Sequence, residues 1–542
     1  MHPCLRVYEI LQLIFRCVED RSTLCALART CRTFNEPATA LIWETLTAME
    51  PILGQLSSAR IVRISRTIGT IDTCRVRRLH VSFIPVLRED YRNDHIPEGF
   101  DFLASPPDPS FLFPNLRALS FEAPDDISSN KHKNAVIQFF HLLLRPHLSA
   151  LRLKIPHLLS TRLDISAIPT LCPNIRILNI KGLRHYSDGV STQDLDQLSR
   201  IVSKLHHLEA VKSYVTSWEM LSGLAQMKGL RRLSVSLPHI LGLRPECPSG
   251  EIFPQLRTLN VIAASVASCT DFLRWTSLDK VTEIYINCSD ILPDNDPSQN
   301  LVEMTSLISL QCKHLEILWI SSSSSRDDEI PTAWPRPLLE NYQAFHQLRA
   351  IALKTPISLT LADSDLEGMV KAWPHLEAFH LFHQVMLDPP VQLTLRGVTA
   401  LLYHCPKLKH FTLTFDATHV PAPLSYSTLV RNTAVGYMGV CASPVSESRD
   451  VAAYLSTIMP YLTVIGVVGA SYRSAWLWIC TQHQHKPAIR VDMSPTKLYH
   501  LLTAGTERGG DPVKGCSREW FWTSPRDWDR AREVIKGRLL RN

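Results

Sequence analysis

The chain has 542 residues, 45% of them hydrophobic and 20% charged, with a formal net charge of +6. That is globular composition with ample material for a large core, and so small a charge on so long a chain argues against a dedicated nucleic-acid binder. At ~150 residues per domain the length implies three or four domains, unless an array of repeats fills it.

The first element is helical. Val7, Ile10, Leu11, Ile14, Phe15 and Val18 recur at i, i+3, i+4 and i+7. A second amphipathic stretch follows Ser22, a plausible N-cap, with Leu24, Leu27, Ala28 and Cys31 on one face. A third begins after Asn35, tolerates Pro37 in its first turn, and carries Ala38, Leu41, Ile42 and Trp43. A unit this small buries too little apolar surface to stand alone, so its large residues need an outside surface, either the rest of this chain or another protein.

This segment resembles an F-box, on the strength of Glu9-Ile10, Ile14-Phe15, Leu24, Cys31-Arg32 and the closing Leu41-Ile42-Trp43. It departs from the family pattern at Val7-Tyr8, where a Leu-Pro or Ile-Pro is usual, and at Phe34, where many members carry Trp. The resemblance implies docking on a Skp1-like adaptor protein, and through it a cullin, by Val7, Ile10, Leu11, Ile14, Phe15, Leu24, Leu27, Phe34, Leu41 and Trp43. Residues 1–48 are read as the F-box-like segment and 49–75 as a helical linker or N-terminal cap. Arg60, Arg63, Arg66, Arg75, Arg77 and Arg78, interleaved with Ile61, Val62, Ile64 and Ile68, read as a helix with one solvated face.

From about residue 76 one phrase recurs: apolar, two variable, apolar, one variable, apolar. Leu116-Leu119-Phe121, Leu148-Leu151-Leu153 and Ile175-Leu178-Ile180 are instances. The phrase opens again at Leu230, Leu256, Val281, Leu315, Leu348, Leu376 and Leu408, and in weaker form at Val76, Leu208 and Leu462. Prolines after Phe113, Cys172, Phe253, Trp373 and Cys405 precede five copies at a fixed offset, ending one helix and aiming the chain into an extended segment. Between copies lie helices. Thr192–Leu205 places Leu195, Leu198, Ile201, Val202 and Leu205 on one face, and Ser364 with Glu367 forms a capping box for another helix. One such coil cannot bury its own strand, so stacking must make a continuous core.

Residues 76–470 therefore resemble the irregular leucine-rich repeats found behind F-boxes, and the layout is similar to a large group in mushroom-type fungi. The expected architecture is α/β: a three-helix F-box-like segment, then a right-handed leucine-rich-repeat solenoid (a horseshoe) of alternating short parallel strands and helices. An ordinary parallel α/β domain with leucine-biased strands reads the same way. The family's Asn after the last apolar position is mostly missing, with Pro124 in one such place, so the turn backbones must find other partners. The segments 105–110 and 292–298 are turn-rich insertions, and 321–337, with five serines, three acids and three prolines, is a mobile surface loop. Residues 471–542, with Trp476, Trp478, Trp520, Trp522 and Trp528, form a Trp-rich C-terminal cap.

In such coils the residue between the last two apolar positions, and the one after them, face the concave side. That places Arg152, Lys154, Asn179, Lys181, Lys212, Ser234, Ser236, Asn260, Tyr285, Asn287, Trp319, Ser321, Lys354, His380, Phe382, Thr412 and Thr414 there. Arg152, Lys154, Lys181, Lys212, Tyr285, Trp319, His380 and Phe382 are the candidate target-binding residues, since exposed aromatics on a concave face suit protein binding. The bland alternative packs these aromatics on a neighbouring coil.

Enzyme chemistry finds no support. There is no G-x-S-x-G, no Walker-type loop, no G-x-G-x-x-G and no H-E-x-x-H. The pairs His380/His383 and His483/His485 have no companion ligand at convincing spacing. Fourteen cysteines occur without any C-x-x-C, which reads as buried reduced thiols in an intracellular protein, cytoplasmic or nuclear. Neither a signal peptide nor a membrane-spanning run is apparent. The expected role is a non-catalytic substrate-recognition adaptor of an SCF-type (Skp1–cullin–F-box) ubiquitin ligase, holding an unknown target protein, with no cofactor, metal, nucleic acid or membrane. The rivals are a leucine-rich-repeat interaction scaffold without a ubiquitin role and an enzyme with an unmarked site.

Overall fold

The computed structural model describes residues 2–18, 20–47, 49, 73–82, 103–105, 112–122, 130–154, 165–181, 192–215, 217–237, 252–288, 297–322, 332–333, 335–354, 359–382, 391–421, 430–441 and 443–467. The arginines at 60, 63 and 66, most of the linker 49–75, most of the turn-rich segments and the whole of 471–542 lie outside these residues.

Three helices open the chain: α1 (Tyr8–Arg16), α2 (Arg21–Thr30) and α3 (Arg32–Glu44). Helix α2 is capped by Asp20, two residues earlier than the expected Ser22. The Asp20 carboxylate accepts from the Thr23 amide at 2.8 Å and the Ser22 amide at 3.3 Å, and both hydroxyls donate to it as well. A carboxylate has two oxygens for these four donors, which a serine could not serve. The Ser22 and Thr23 hydroxyls, then the two amides, hold its carboxyl well below the usual range.

Helix α3 runs directly into β1 (Thr45–Leu46), which pairs in parallel with β2 (Arg78–Ser82). The first strand of the sheet therefore lies inside the segment read as purely helical. Leu46 is fully buried, and the Arg77 amide donates to the Glu44 carbonyl at 3.0 Å.

The recurring phrase forms strands wherever it was read. After β2 come β3 (Ala118–Glu122), β4 (Ala150–Lys154), β5 (Ile177–Lys181) and β6 (Ala210–Tyr214), each parallel to the one before. Together with α1–α3 they belong to one compact unit, Met1–Leu230. A second unit begins at Arg231. Its parallel sheet holds β7 (Arg232–Ser236), β8 (Thr258–Ala263), β9 (Glu283–Cys288), β10 (Ile317–Ser322), then β12 (Ala350–Lys354), β14 (Ala378–Phe382), β15 (His410–Thr412), β16 (Tyr437–Cys441) and β17 (Val464–Val467). The short strands β11 (Thr332–Ala333) and β13 (Leu359–Thr360) pair separately, and β11 falls inside the stretch expected to be loop. Strand β16 was not anticipated, although Val435, Met438 and Val440 satisfy the phrase; two glycines dilute its apolar pattern.

The core lies between strands and helices. In each strand the phrase's apolar residues point inward: Leu119, Leu151 and Leu178 form one buried row, Phe121, Leu153 and Ile180 the next. The helices seal it with large residues, and Phe140 packs on Phe121 with ring centroids 4.9 Å apart. The helix Thr192–Lys204 forms as the periodicity predicts. The helix Asp363–Val370 starts earlier than its expected Ser364–Glu367 box. Its N-cap is Ala362, whose amide donates to Asp365 at 3.2 Å. Asp363 is thereby left to reach the next coil, where it accepts from the Thr394 amide (2.8 Å), the Thr394 hydroxyl (2.6 Å) and the Gly397 amide (3.0 Å) at the start of the helix Leu395–His404.

The turns that follow the strands, where the family's asparagine would stand, lie mostly outside the described residues; the helix-to-strand turns of the second unit are held by side chains. Trp373 Nε1 donates to the Tyr342 carbonyl at 3.1 Å, Cys405 Sγ to the Trp373 carbonyl at 3.5 Å, and Asn432 Nδ2 to the Cys405 carbonyl at 3.1 Å. Each of these three helix ends is thus satisfied by a side chain of the following coil. Before the strands, Asn115 and Asn174 donate to the Cys74 and Pro146 carbonyls. Phe113 and Phe253, each preceding a proline, adopt φ of 51° and 53°. That strain for a bulky residue is held by deep burial of both rings.

Candidate partner-binding surfaces

Helix α1 is apolar over more of its circumference than one core requires. Leu11 and Phe15 turn inward and meet Leu24 and Ala38, with Leu5, Val18, Leu27, Ala28, Phe34, Leu41 and Ile42 around them. Phe15 meets Phe34 edge to face, centroids 5.3 Å apart. Leu11, Phe15 and Leu24 are therefore 1%, 3% and 8% exposed, and they lie in the unit's own core rather than on a docking surface as the sequence suggested. Leu27, Phe34, Leu41 and Trp43 are half-buried.

The other side of α1 stays bare. Val7, Ile10 and Ile14 form a stripe at i, i+3, i+7 and are 42%, 37% and 43% exposed, with Tyr8 and Leu13 beside them. Among the described residues, five of the eight exposed large hydrophobics fall between Val7 and Ile14. The other three, Leu310, Tyr403 and Tyr461, are scattered over the later coils. Single exposed apolar residues are ordinary, whereas a contiguous patch on one helix marks an interaction surface.

The second surface is the outer face of the strands. In the first unit the register aligns Ser120, Arg152, Asn179 and Lys212 in one row and Glu122, Lys154 and Lys181 in the next. Arg152, Lys154 and Lys212 are half-buried, Asn179 is 8% exposed, and Lys154 pairs with Glu122. In the second unit the row is Ser234, Asn260, Tyr285, Trp319, Ala352, His380 and Thr412. Tyr285 and Trp319 stand side by side, half-buried. Burial, then the Glu283 carboxylate, pushes the Tyr285 hydroxyl up, so it remains a neutral donor. Phe382 lies opposite Lys354 in register.

His380 departs from expectation. It is 1% exposed, so it presents nothing to a target. Its Nδ1 lies 2.9 Å from Thr412 Oγ1, and its ring centroid is 5.4 Å from that of His410. Burial first, then His410, lowers its basicity well below the usual histidine value, so the folded ring is neutral. The unfolded chain protonates near ~6.5 where the folded one does not, so stability present above that pH is lost as pH falls, by up to ~1.4 kcal/mol per pH unit. His404 is shifted the same way, by burial and Lys371. The melting temperature should therefore drop between neutral and mildly acid pH, and His380→Gln should flatten that drop. An identical profile in the variant would remove His380 as the cause.

The thiols of Cys172, Cys312 and Cys405 are pushed up to about 12 by burial, leaving them protonated and unreactive. Among the described residues no group of three or more His, Cys, Asp or Glu is placed to hold a metal ion, and no helix is long and apolar enough to cross a membrane.

Residues 8–48 match the F-box-like family model, so the chain carries an F-box-like domain at its N-terminus, ahead of a parallel strand–helix repeat. No curated protein matches the chain. Among solved structures, the complex of Rad7 and Elc1 from yeast aligns over 84% of this chain and 93% of that one, at 13% identity and a TM-score of 0.33. So slight a likeness carries no argument.

Proposed function

We propose that this protein is a non-catalytic, intracellular substrate adaptor of an SCF-type ubiquitin ligase. The bare stripe Val7–Ile10–Ile14 docks on a Skp1-like protein, and through it a cullin, while the outer strand face holds a target. Catalysis then comes from proximity: target lysine and ubiquitin thioester react as though intramolecular. The observation that carries this reading is an F-box-like unit whose core is already complete without Val7, Ile10, Leu13 and Ile14. Burying such side chains contributes about 1.5–3 kcal/mol each before the costs of association.

A second reading, in which the helices only cap the first coil, draws on the pairing of β1 with β2. That contact uses the end of α3 and leaves α1 bare. Ile14→Glu separates the two. Recovery of a Skp1-like protein from native cells should fall at least about tenfold while the melting temperature holds, because a charge is set into an apolar contact at no cost to the core. Undiminished recovery by the folded variant would leave only the capping role.

A further inference from the structure

One position recurs along the edge where the strands begin. It is the residue just before each strand, whose amide donates to the carbonyl of its counterpart one coil back. In the second unit four consecutive coils place Glu316, Arg349, Glu377 and Lys409 there, joined by amide-to-carbonyl bonds of 2.8, 2.7 and 2.8 Å. The signs alternate and every neighbour is engaged. Arg349 reaches Glu316 at 3.5 Å and Glu377 at 2.8 Å, and Lys409 reaches Glu377 at 2.6 Å. Glu377 thus sits between two cations, one coil to either side. Side chains at this position are therefore long enough to meet from coil to coil.

In the first unit the same position runs Arg77, Arg117, Ser149, Arg176 and Glu209, linked by the same amide-to-carbonyl bonds. Arg117, Ser149 and Arg176 repeat the arrangement of Arg349, Glu377 and Lys409, with a serine in the carboxylate's place. The Ser149 hydroxyl donates to the Arg117 carbonyl at 3.1 Å and offers the arginines no charge. Arg77, Arg78 and Arg117 are exposed, and among the described residues none of their guanidinium groups has a hydrogen bond or an ion pair. Arg176 pairs with Glu209 at 3.3 Å, but Arg349 shows that an arginine here serves two carboxylates at once. Like charges side by side repel, and a carboxylate brought in over Ser149 would offset them as Glu377 does in the other unit. The turns 73–77, 112–117, 144–149, 172–176 and 205–209 hold no Tyr or Trp, and Phe113 is buried, so nucleic-acid bases find no such ring to stack on.

We infer that the strand-start edge of the first unit binds an Asp/Glu-rich segment of a partner protein, one carboxylate lying over Ser149 between Arg117 and Arg176 and others meeting Arg77 and Arg78. The pitch suits an extended chain. Neighbouring strands lie ~4.8 Å apart and same-side residues of a strand recur every ~6.6 Å, a mismatch that flexible arginine side chains absorb. If the chain is an adaptor as proposed above, this segment belongs to its target, although the binding itself does not use the bare stripe of α1.

The test uses the full chain and fluorescence anisotropy. The probes are a labelled Asp/Glu-rich peptide, a Gly/Ser peptide of the same length and an oligothymidylate of the same length. The acidic peptide should bind saturably, more weakly as salt rises, and the Gly/Ser peptide should not bind. Ser149→Glu supplies the carboxylate from within and should weaken the acidic peptide at least about tenfold, whereas Ser149→Gln, neutral and of similar size, should weaken it far less. Lys228→Glu reverses a charge at another exposed turn of the same unit and should also cost less than Ser149→Glu, because salt screens the more distant site. Arg77→Gln with Arg117→Gln should weaken binding at least about fivefold and flatten its salt dependence. Circular dichroism confirms that each variant folds. Ile14→Glu should leave peptide affinity unchanged while losing the Skp1-like protein, so failure of either idea is visible without the other. No saturable binding, equal losses in Lys228→Glu and Ser149→Glu, affinity untouched by the double variant, or tighter binding of the oligothymidylate overturns the inference.

Discussion

Replacing Phe15 by alanine should destabilise the N-terminal helices by about 3–5 kcal/mol, enough to unfold so small a unit. Phe15 is 3% exposed, stands edge to face with Phe34, and joins α1 to Leu24 of α2 and Ala38 of α3. The Skp1-like protein should be lost along with the helical signal, in contrast to Ile14→Glu, where partner loss comes without unfolding. The pair of variants separates a core residue from a residue of the proposed interface one position apart. Limited proteolysis within residues 1–47 reads the difference directly. Protection of the Phe15→Ala helices at the wild-type level would contradict the packing described for this unit.

Trp373→Ala carries the second large effect, in the other unit. Trp373 is fully buried, lies 6.0 Å from Phe379 between ring centroids, and donates to the Tyr342 carbonyl. Alanine leaves a cavity worth about 3–5 kcal/mol and an orphaned carbonyl worth about 1–3 kcal/mol more. The loss should spread, because the Trp373 carbonyl accepts from Cys405, whose own carbonyl accepts from Asn432. Trp373→Phe, which keeps the ring and discards the N–H, should cost clearly less. Thermal unfolding ranks the three proteins. Equal melting of the phenylalanine and alanine variants would show that the hydrogen bond, not the volume, holds these coils together.

Much of this was legible in the amino-acid order. A leucine phrase returning from Val76 to Leu462 places β2–β10, β12, β14, β15 and β17, because one strand per coil has to show apolar residues to the helices at fixed spacing. The F-box-like helices were legible for the same reason. What escaped was local polar chemistry and the sheet's edge. Asp20 displaced Ser22 as a cap because several donors converge on its two oxygens. Asp363 proved to serve the following helix rather than its own. Two-residue β1 has no periodicity to read, and exists only because β2 lies beside it.

The apolar order along α1 determined that the helix is amphipathic, and the alternation in the coils determined which residues share the outer face of the strands. It was tertiary packing that divided α1 into a sealed side, Leu11 and Phe15, and a bare side, Val7, Ile10 and Ile14. Packing likewise withdrew His380 from the surface while leaving Tyr285 and Trp319 half-open. The reason is physical: periodicity states which side chains point the same way, whereas exposure depends on what the rest of the chain brings against them.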